Sequence, residues 1–522
     1  MTGTGHTVSS NTSTGADFID GILAGNHWAD SILYYSVPRF GTEYGTGYGS
    51  GENQGFHATN NQMGVVIDYA LNANAGNGTA NDGFSIEGFT NLDVRFTSGT
   101  NAHVRIAQSG FDPFNIGTAV GYFPNTTTEA GDVWLFSTVT DYSAPVMGDY
   151  AHITMMHEIG HAMGLEHSQD DGTFGIVPSQ FDAMEYTIMS YRSFVGASAT
   201  GGYSNETYGF AQSFMMLDIA ALQHMYGADF TTNSGNTTYS WNPNSGNTLV
   251  NGVAAISPGA NRIFATIWDG GGKDTYDLSA YSTNTVIDLR PGAISLFSNA
   301  QLAGLSGSED AQGNIYNALQ YQGDARSLIE NGIGGSGHDT MIGNDAKNNL
   351  RGNGGNDYLK GSGGKDVLKG GGGKDYIEGG TKDDTLRGDG GRDKLYGNSG
   401  KDTMFGGSGN DKLTGGKDKD IMTGNGGADT FRFVKVSDSK KGSSSDVIKD
   451  FERGVDHIDL SKLSTTPFTF DRSDFSGTGP SVTTTKNGTK LNVLIDVDGD
   501  GNADMRIILN GVSKVNDGDF IL

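Results

Sequence analysis

The sequence predicts an α+β protein of several domains, in which an α/β domain precedes an all-β region. Up to about residue 226, apolar residues recur at helical spacing and alternate with short strand patterns. From residue 334 the chain changes to a nine-residue repeat with one apolar place in each unit, which is typical of stacked β-strands. With 522 residues, the chain has room for several domains, each with its own core.

Composition and charge exclude several classes of function. The chain has 34 basic and 60 acidic residues, a net charge of -26. Nucleic acid is therefore not an expected partner, because its phosphates attract basic surfaces. The absence of cysteine excludes disulfides, thiolate zinc ligands and a cysteine nucleophile. No apolar run approaches the roughly 18 residues of a membrane span.

The sequence divides into five segments. It begins with residues rich in Ser, Thr and Gly, which predict a mobile tail or a pro-segment and lack the basic and apolar regions of an N-terminal signal peptide. The segments are the tail at 1–16, a globular domain at 17–227, a β-rich start of the C-terminal region at 228–333, the repeat at 334–432 and a C-terminal β cap at 433–522.

Three helices are predicted in the globular domain. In "NNQMGVVIDYALN", the residues Met63, Val66 and Ile67 lie at helical spacing and predict a core-facing helix. "YAHITMMHEIGHAMG" predicts a second helix that Gly164 ends, and "SFMMLDIAALQHMYG" a third with Ser213 as a possible N-cap.

The repeat consists of eleven nonads without insertion, each beginning with glycine. The eighth place is apolar in every nonad, from Met341 to Phe431. The sixth place is Asn348 in one nonad and aspartate in the other ten, which are Asp339, Asp357, Asp366, Asp375, Asp384, Asp393, Asp402, Asp411, Asp420 and Asp429.

This pattern predicts a calcium-binding β-roll in which two nonads make one coil. Stacked glycine turns direct carbonyl and carboxylate oxygens toward shared points, and oxygen ligands are what Ca²⁺ prefers. A flexible linker would have no reason to keep aspartate at one place of the repeat. Several structural calcium ions are expected, and without them the carboxylates would repel one another and leave the roll largely unfolded.

"HEIGHAMGLEH", residues 157–167, gathers three of the chain's 11 histidines. His157 and His161 are four residues apart and leave the same face of the predicted helix. Gly164 lets the chain reverse, so that His167 returns toward them. Three neutral imidazoles with a fourth position open are typical of a catalytic zinc site, and Glu158 would lie beside that position. One zinc ion is expected here.

A methionine in a turn after the zinc motif supports this interpretation. "YTIMSY" supplies Met189, followed two residues later by Tyr191. The extended zinc motif together with such a turn is the metzincin pattern.

With these motifs, the chain resembles the serralysin family of secreted bacterial zinc proteases over most of its length. The resemblance is carried by "HEIGHAMGLEH", "TIMSY", "MMLDIAALQHMYGAD", the nonads and "SDVIKDFERGVDHIDLSKL". It implies a metzincin α/β domain, a β-roll and a C-terminal β-sandwich. It further implies a monomeric endopeptidase with protein or peptide substrates.

The resemblance also implies roles for single residues. Tyr191 would be a further zinc ligand that swings away to stabilise the tetrahedral intermediate, and residues 117–123 would pair with the substrate. "GDFIL", with Asp519, resembles a signal for type I secretion machinery, as in export from Gram-negative bacteria. A calcium site at the start of the β region would use Asn244, Gly246, Thr248, Asp269, Gly271 and Asp274.

The predicted reaction is hydrolysis of peptide bonds, in which Glu158 takes a proton from water and delivers it to the leaving amine. The alternative is a calcium-ordered surface adhesin whose zinc is structural. The acidic stretch Asp496–Asp504 is compatible with either a further calcium site or an ordinary β-turn, since Ile507 stands where an EF-hand has its glutamate.

Overall fold

A computed structural model describes residues 6–44, 48, 51–72, 83–471, 474–475 and 477–522. The chain forms two compact units. The first comprises Met1–Asp274 and Pro291–Ile329, and the second comprises Thr275–Arg290 and Glu330–Leu522. No helix among the described residues is both long and apolar enough to cross a membrane.

The five α-helices found among the described residues lie in the first unit. They are α1 (Asp17–Asp20), α2 (Asn61–Leu71), α3 (Ile86–Phe89), α4 (Tyr150–Met163) and α5 (Met216–Tyr226). Short 3₁₀ turns of this unit lie at Gly41–Tyr44, Glu52–Gly55, Asn299–Gln301, Tyr321–Gly323 and Ala325–Ser327. The predicted core face of α2 is confirmed, since Met63 and Ile67 are fully buried. The predicted cap of α5 is wrong: the helix begins after Met215, whose N–H donates to the Asp218 carboxylate.

A mixed sheet supports α4. Its parallel strands lie in the order Asp93–Phe96, Ile32–Ser36, Val104–Ser109 and Asp132–Phe136. Ala119–Gly121 runs antiparallel to the last of these at the edge of the sheet, and Phe56–His57 pairs with Val104–Ser109. The remaining strands of the unit are Val8–Ser10, Asn26–Trp28, Thr238–Asn242, Ser245–Val250, Val253–Ile256, Ala265–Ile267, Ile294–Ser295 and Ile315–Asn317.

The second unit contains the repeat, whose strands stack in parallel on two walls. One wall has Thr275–Asp277, Asn331–Ile333, Asn349–Gly354, Val367–Gly373, Thr385–Gly391, Thr403–Ser408, Ile421–Gly426 and Val447–Ile448, followed by Met505–Asn510, Lys490–Asp496, Ser481–Asn487 and Thr469–Phe470. The other has Val286–Asp288, Thr340–Ile342, Tyr358–Gly363, Tyr376–Thr381, Lys394–Ser399, Lys412–Lys417, Thr430–Arg432, His457–Asp459 and Phe520–Ile521. Short 3₁₀ turns lie at Val436–Ser439 and Asp517–Asp519.

The register confirms that two nonads make one coil, because Asn349 pairs with Val367 and Tyr358 with Tyr376. The eighth-place side chains from Met341 to Phe431 are fully buried between the walls. Parallel stacking extends beyond the repeat in both directions along the chain, since Val286–Asp288 pairs with Thr340–Ile342 and Val447–Ile448 with Ile421–Gly426. A sandwich arrangement of the C-terminal strands stays a prediction.

The N-terminal segment differs from the expected mobile tail. Residues 1–5 lie outside the described residues, but Val8–Ser10 pairs with Asn26–Trp28. The side chains of Ser13 and Thr14 donate to the buried carboxylate of Asp20 at 2.6 and 2.7 Å. Strand pairing and these hydrogen bonds hold the described part of the segment on the first unit.

The expected division at residues 228 and 333 also differs from the observed one. Phe264, Trp268 and Tyr316 belong to the same apolar cluster as Met163 and Leu222. Most of the segment 228–333 therefore packs with the first unit, because its aromatic side chains complete that unit's core.

Candidate active site

Helix α4 positions the first two histidines of the candidate site. Its N-terminus is capped by Asp149, whose carboxylate accepts the N–H of His152 at 2.7 Å. It ends at Gly164, whose φ of 104° lies in the left-handed region that favours glycine. A β-carbon at Gly164 would lie 2.8 Å from the carbonyl oxygen of Asn26, so the turn that returns His167 requires glycine.

The three imidazoles converge through their Nε2 sides. The Nδ1 atoms of His157 and His161 lie 2.8 and 2.7 Å from the carbonyl oxygens of Ile188 and Leu165, which can only accept hydrogen bonds. Nδ1 of His167 lies 2.9 Å from the Asp170 carboxylate. The protons are therefore on the Nδ1 atoms, and each Nε2 keeps a lone pair.

These lone pairs face one another. Nε2 of His161 and Nε2 of His167 are only 2.9 Å apart, although neither carries a proton to share. The three rings are also within reach of a single cation. This arrangement fits zinc, for which imidazole nitrogens are preferred ligands and an acceptor on the other ring nitrogen fixes the tautomer.

Burial sets the protonation of the site. Burial lowers the pKa of His157 to about 3, with a further contribution from His167, and keeps its imidazole neutral. Burial also raises the pKa of Glu158 to about 8. A carboxyl group with a pKa near neutrality is suited to accept and return a proton.

Met189 and Tyr191 follow the helix in a tight turn. The sulfur of Met189 lies 2.9 Å from where a β-carbon of Gly160 would stand, so the turn packs directly under the helix between the two histidines. The hydroxyl of Tyr191 is 2.8 Å from Nε2 of His167, and its side chain is 39% exposed. Tyr191 therefore lies beside the three imidazoles, within reach of the same centre.

Two buried aspartates hold this turn, and neither was identified from the sequence. Asp218 accepts hydrogen bonds from the N–H groups of Ile188 and Met215, both at 2.9 Å. Asp182 accepts from the hydroxyls of Ser168 and Ser190, both at 2.6 Å. The first aspartate fixes the carbonyl that orients His157, and the second ties the turn to the residue after His167. The position of Asp218 in the first turn of α5 was the available signal.

A cavity of about 380 Å³ adjoins the site. Glu158 and Tyr191 line it, together with Thr118 and Ala119 at the sheet edge and the aromatic ring of Tyr203. In the described sheet, Ala119–Gly121 pairs on one side only, with Asp132–Phe136. A free strand edge beside the cavity can accept the main chain of an extended peptide.

The repeat contains buried carboxylate oxygens that lack hydrogen-bond partners among the described residues. One carboxylate oxygen of each sixth-place aspartate accepts a backbone N–H from the preceding coil, as Asp384 does from Asp366 at 2.8 Å. The other oxygen is buried and has no hydrogen-bond partner among the described residues in Asp357, Asp366, Asp375, Asp384, Asp393, Asp402, Asp411, Asp420 and Asp429. Buried anionic oxygens without partners are costly unless a cation balances them.

The glycines beside these oxygens leave no room for a side chain. A β-carbon on Gly352 would lie 2.2 Å from Oδ2 of Asp357 and 2.7 Å from the carbonyl oxygen of Gly370. At Gly361 the corresponding distances are 2.3 Å to Asp366 and 2.4 Å to the Gly379 carbonyl. Glycine is therefore required at both positions, and a carboxylate oxygen and a carbonyl oxygen, the ligand type that Ca²⁺ prefers, lie beside each of them.

Asp446 and Asp456 extend this row beyond the predicted repeat. Asp446 accepts the N–H of Asp420, and Asp456 that of Asp429, both at 2.9 Å. In the next coil they occupy the position of a sixth-place aspartate. They lie 26 and 27 residues after the aspartates whose N–H groups they accept, whereas this separation is 18 within the repeat. Sequence reasoning missed them because an irregular segment interrupts the period.

The two halves of the calcium site predicted from residues 244–248 and 269–274 do not lie together. Asp274 accepts the N–H of Thr237 at 2.7 Å, and Lys273 donates its N–H to the side chain of Asn236. Asn244 and the strand Ser245–Val250 lie elsewhere: Thr248 accepts from Trp241, and Gly246 packs under the carbonyls of Ala260 and Arg262. The pentapeptide NSGNT occurs at 233–237 and again at 244–248, and the fold places the first copy beside Asp269, Gly271 and Asp274.

The two acids of this site repel each other. Burial and the neighbouring Asp274 raise the pKa of Asp269, and burial raises that of Asp274. A divalent cation would relieve this repulsion. Thr237 donates its N–H to Asp274 and Gly235 lies against Gly272, so the first copy of the pentapeptide, not the second, lies beside these two acids.

Two further groups of possible ligands are occupied by hydrogen bonds. His103 accepts the N–H of Tyr34 at Nδ1, so its Nε2 carries the proton and donates it to Asp30 at 3.0 Å. Asp496 accepts the N–H groups of Gly499 and Gly501 at 2.7 and 2.8 Å, as in a hydrogen-bonded acidic turn.

Comparison with known proteins identifies the family. Residues 228–522, more than half of the chain, match the family described as peptidase M10 serralysin C terminal. The chain belongs to the serralysin family. Residues 135–217, which include the three histidines and Glu158, match the reprolysin-like metallo-peptidase family M12B. The family predicted from the motifs is thereby confirmed.

Curated members of the family align with part of the chain. Serralysin A of Dickeya chrysanthemi is 35% identical over 225 residues, which are 43% of this chain and 42% of the relative. Serralysin G of the same organism is 32% identical over 236 residues, 44% of each chain. Metalloprotease AprA of Pseudomonas entomophila (strain L48) is 32% identical over 266 residues, 48% of this chain and 50% of the relative. The chain spans about half the length of the curated relatives that it matches.

Proposed function

We propose that the protein is a zinc-dependent endopeptidase that hydrolyses peptide bonds of extracellular proteins. One observation carries the proposal: His161 and His167 direct unprotonated Nε2 atoms at each other across 2.9 Å, next to a cavity lined by Glu158. His157, His161 and His167 would hold the metal, and Tyr191 would be a further ligand. The metallopeptidase family of residues 135–217 supports this assignment.

Bound zinc would supply a Lewis acid that polarises the scissile carbonyl and lowers the pKa of water. Glu158 accepts the proton of the attacking water and returns it to the leaving nitrogen, because its carboxyl lines the cavity beside His157. The Tyr191 hydroxyl donates to the carbonyl oxygen as negative charge develops on it.

The chain also orients its substrate. The free edge of Ala119–Gly121 would pair with the main chain of an extended peptide, and the cavity of about 380 Å³ beside Glu158 would take a side chain. Main-chain pairing is independent of sequence, so it is compatible with varied protein substrates.

We also propose that the roll binds calcium and that the protein is secreted. The sixth-place aspartates, together with Asp446 and Asp456, would hold structural calcium ions in the roll. In the low calcium of a cytosol the roll would stay unfolded, and millimolar calcium outside the cell would drive its folding after type I export. The unpartnered oxygens of nine sixth-place aspartates and of Asp446 support this part of the proposal, whereas Asp339 and Asp456 accept N–H groups at both carboxylate oxygens.

The test compares the wild type with Glu158→Gln on casein in millimolar calcium. The amide cannot accept the proton of water, so we expect kcat to fall by about 10²- to 10⁴-fold while one zinc per chain is retained. Glu309→Gln, an exposed glutamate, is the matched control and should keep full activity.

Zinc removal provides the second arm of this experiment. A zinc-selective chelator in excess calcium should abolish hydrolysis without changing the circular dichroism of the roll, and added zinc should restore it. Full activity of Glu158→Gln would refute the role of this carboxyl. A folded, zinc-loaded wild type that cleaves no unfolded protein would refute the endopeptidase.

A further inference from the structure

Charge is distributed unevenly between the inside and the outside of the roll. Residues 334–432 contain 15 of the chain's 34 basic residues, together with 15 acidic ones. Ten of these acids are the sixth-place aspartates, whose side chains are buried. Only five acidic residues remain against 15 basic ones on the rest of the roll. In a chain of net charge -26, the outer surface of the roll is basic.

Tyrosines and lysines share one outer wall of this surface. Tyr358, Tyr376, Lys394 and Lys412 pair in register from strand to strand. The rings of Tyr358 and Tyr376 are 5.4 Å apart, and those of Tyr376 and Tyr396 are 5.0 Å apart. Aromatic and cationic side chains thus follow one another at about 4.8 Å, the spacing of neighbouring strands.

A polar cavity of about 290 Å³ lies on this wall. Tyr396 and Asn398 line it from one strand and Thr414 and Lys417 from the next. Arg432 and Lys435 add two further cations. Asp438 also lines the cavity, and its carboxylate accepts the N–H groups of Val434 and Lys435. The cavity therefore combines an aromatic ring, side chains that hydrogen-bond, three positive charges and one hydrogen-bonded carboxylate.

One buried polar group of this cavity lacks a partner in the described part of the chain. Thr414 is only 7% exposed, and its hydroxyl has no hydrogen-bond partner among the described residues. The guanidinium of Arg432, by contrast, is ion-paired with Asp459, with Nε 3.4 Å from Oδ2. A buried hydroxyl without a partner is costly, which indicates that a polar ligand satisfies it.

We propose that this cavity binds an acidic polysaccharide. A sugar acid presents a carboxylate or sulfate to Lys417, Arg432 and Lys435, hydroxyls to Thr414 and Asn398, and a ring face to Tyr396. Further units of the polymer follow the row of Lys412, Lys394, Tyr376 and Tyr358 along the wall. The site does not depend on the peptidase centre and requires only the folded, calcium-loaded roll.

The binding test uses the full-length protein in millimolar calcium. Fluorescently labelled octasaccharides of hyaluronate and of chondroitin sulfate are the acidic probes, a dextran oligosaccharide is the neutral probe, and single-stranded oligothymidylate is the nucleic-acid probe. We expect anisotropy to show binding of an acidic octasaccharide that weakens with added salt, and no binding of dextran.

Variants locate the site. Lys417→Glu and Lys435→Glu should each weaken binding about tenfold or more, because charge-assisted contacts become repulsive. Lys369→Glu makes the same charge change on the other wall and should leave binding intact. Thr414→Val removes only the buried hydroxyl, so it should weaken binding without loss of thermal stability.

Calcium-dependent circular dichroism and casein hydrolysis report folding of each variant independently of saccharide binding. The proposal is overturned if neither acidic octasaccharide binds more tightly than dextran. It is also overturned if oligothymidylate binds at least as tightly as both, or if Lys369→Glu weakens binding as much as Lys417→Glu. Loss of casein hydrolysis with retained saccharide binding would contradict the proposed peptidase and not this site.

Discussion

Asp218 and His157 are joined through the backbone of one residue, Ile188. The Asp218 carboxylate accepts the N–H of Ile188 at 2.9 Å, and the Ile188 carbonyl accepts the Nδ1 proton of His157 at 2.8 Å. The same carboxylate accepts the hydroxyl of Thr187. A buried carboxylate thereby fixes the orientation of one imidazole without touching it. Asp218 is a positioning residue for the candidate zinc site.

We expect Asp218→Asn to weaken zinc binding by about 10- to 100-fold, the usual cost of losing a supporting contact around a metal ligand. The amide cannot accept all three hydrogen bonds, so Ile188 and its carbonyl should shift. Competition with a zinc chelator measures the affinity. Asp310→Asn, at an exposed position, is the control. Unchanged zinc affinity in a folded Asp218→Asn protein would remove the positioning role.

Tyr191→Phe should lower kcat by about 10²- to 10³-fold on peptide substrates, because it removes one donor to the developing oxyanion. KM should change little, since the ring remains beside His167. Steady-state kinetics with saturating zinc gives both constants. Tyr321→Phe loses a hydroxyl away from the described site and serves as the control. A change in KM alone would assign Tyr191 to substrate binding.

Asn348 shows how one place in the roll is satisfied without an ion. Its side-chain oxygen accepts the N–H of Asn344 at 2.8 Å, and its Nδ2 donates to the Glu330 carbonyl at 2.9 Å. We expect Asp384→Asn to stabilise the calcium-free roll and to reduce the stabilisation gained from calcium. Thermal unfolding in chelator and in calcium measures both effects. Equal calcium stabilisation in variant and wild type would show that Asp384 binds no ion.

Acid should also stabilise the calcium-free roll. Burial raises the pKa of Asp375 to about 6, of Asp357 to about 7 and of Asp402 to about 8. In the unfolded chain the value is about 4. The protonated forms therefore favour folding, and their contribution is present below about pH 4 and is lost as the pH rises through 6 to 8.

Circular dichroism in a calcium chelator checks this pH dependence. The β-sheet signal should be larger at pH 5 than at pH 8, and saturating calcium at pH 8 should restore it. A calcium-free roll that is equally folded at both pH values would contradict the raised pKa values.

Local sequence was sufficient for the chemistry of the candidate site. The spacing of His157, His161 and His167 on one helix and turn, and the glycine required at 164, follow from helix geometry. The nine-residue period likewise predicted two nonads to a coil, because each unit repeats one inward apolar side chain. The supporting aspartates Asp182 and Asp218 were missed, since their partners are distant in sequence.

Asp446 and Asp456 lie beyond the point at which the nine-residue period predicts positions in the stack. They continue the row of carboxylates only because the chain, after an irregular segment, returns to the same stack and accepts N–H groups from Asp420 and Asp429. A register that depends on strand pairing is not visible in local spacing.

The pentapeptide NSGNT shows which features the sequence determined and which only the tertiary structure decided. The sequence by itself predicted the candidate metal ligands, because residue types at fixed spacings set which atoms converge locally. It offered two identical copies of the pentapeptide, at 233–237 and 244–248, and gave no local basis for choosing between them. Only the tertiary structure decided, because the Asp274 carboxylate accepts the N–H of Thr237, whereas Thr248 is held by Trp241.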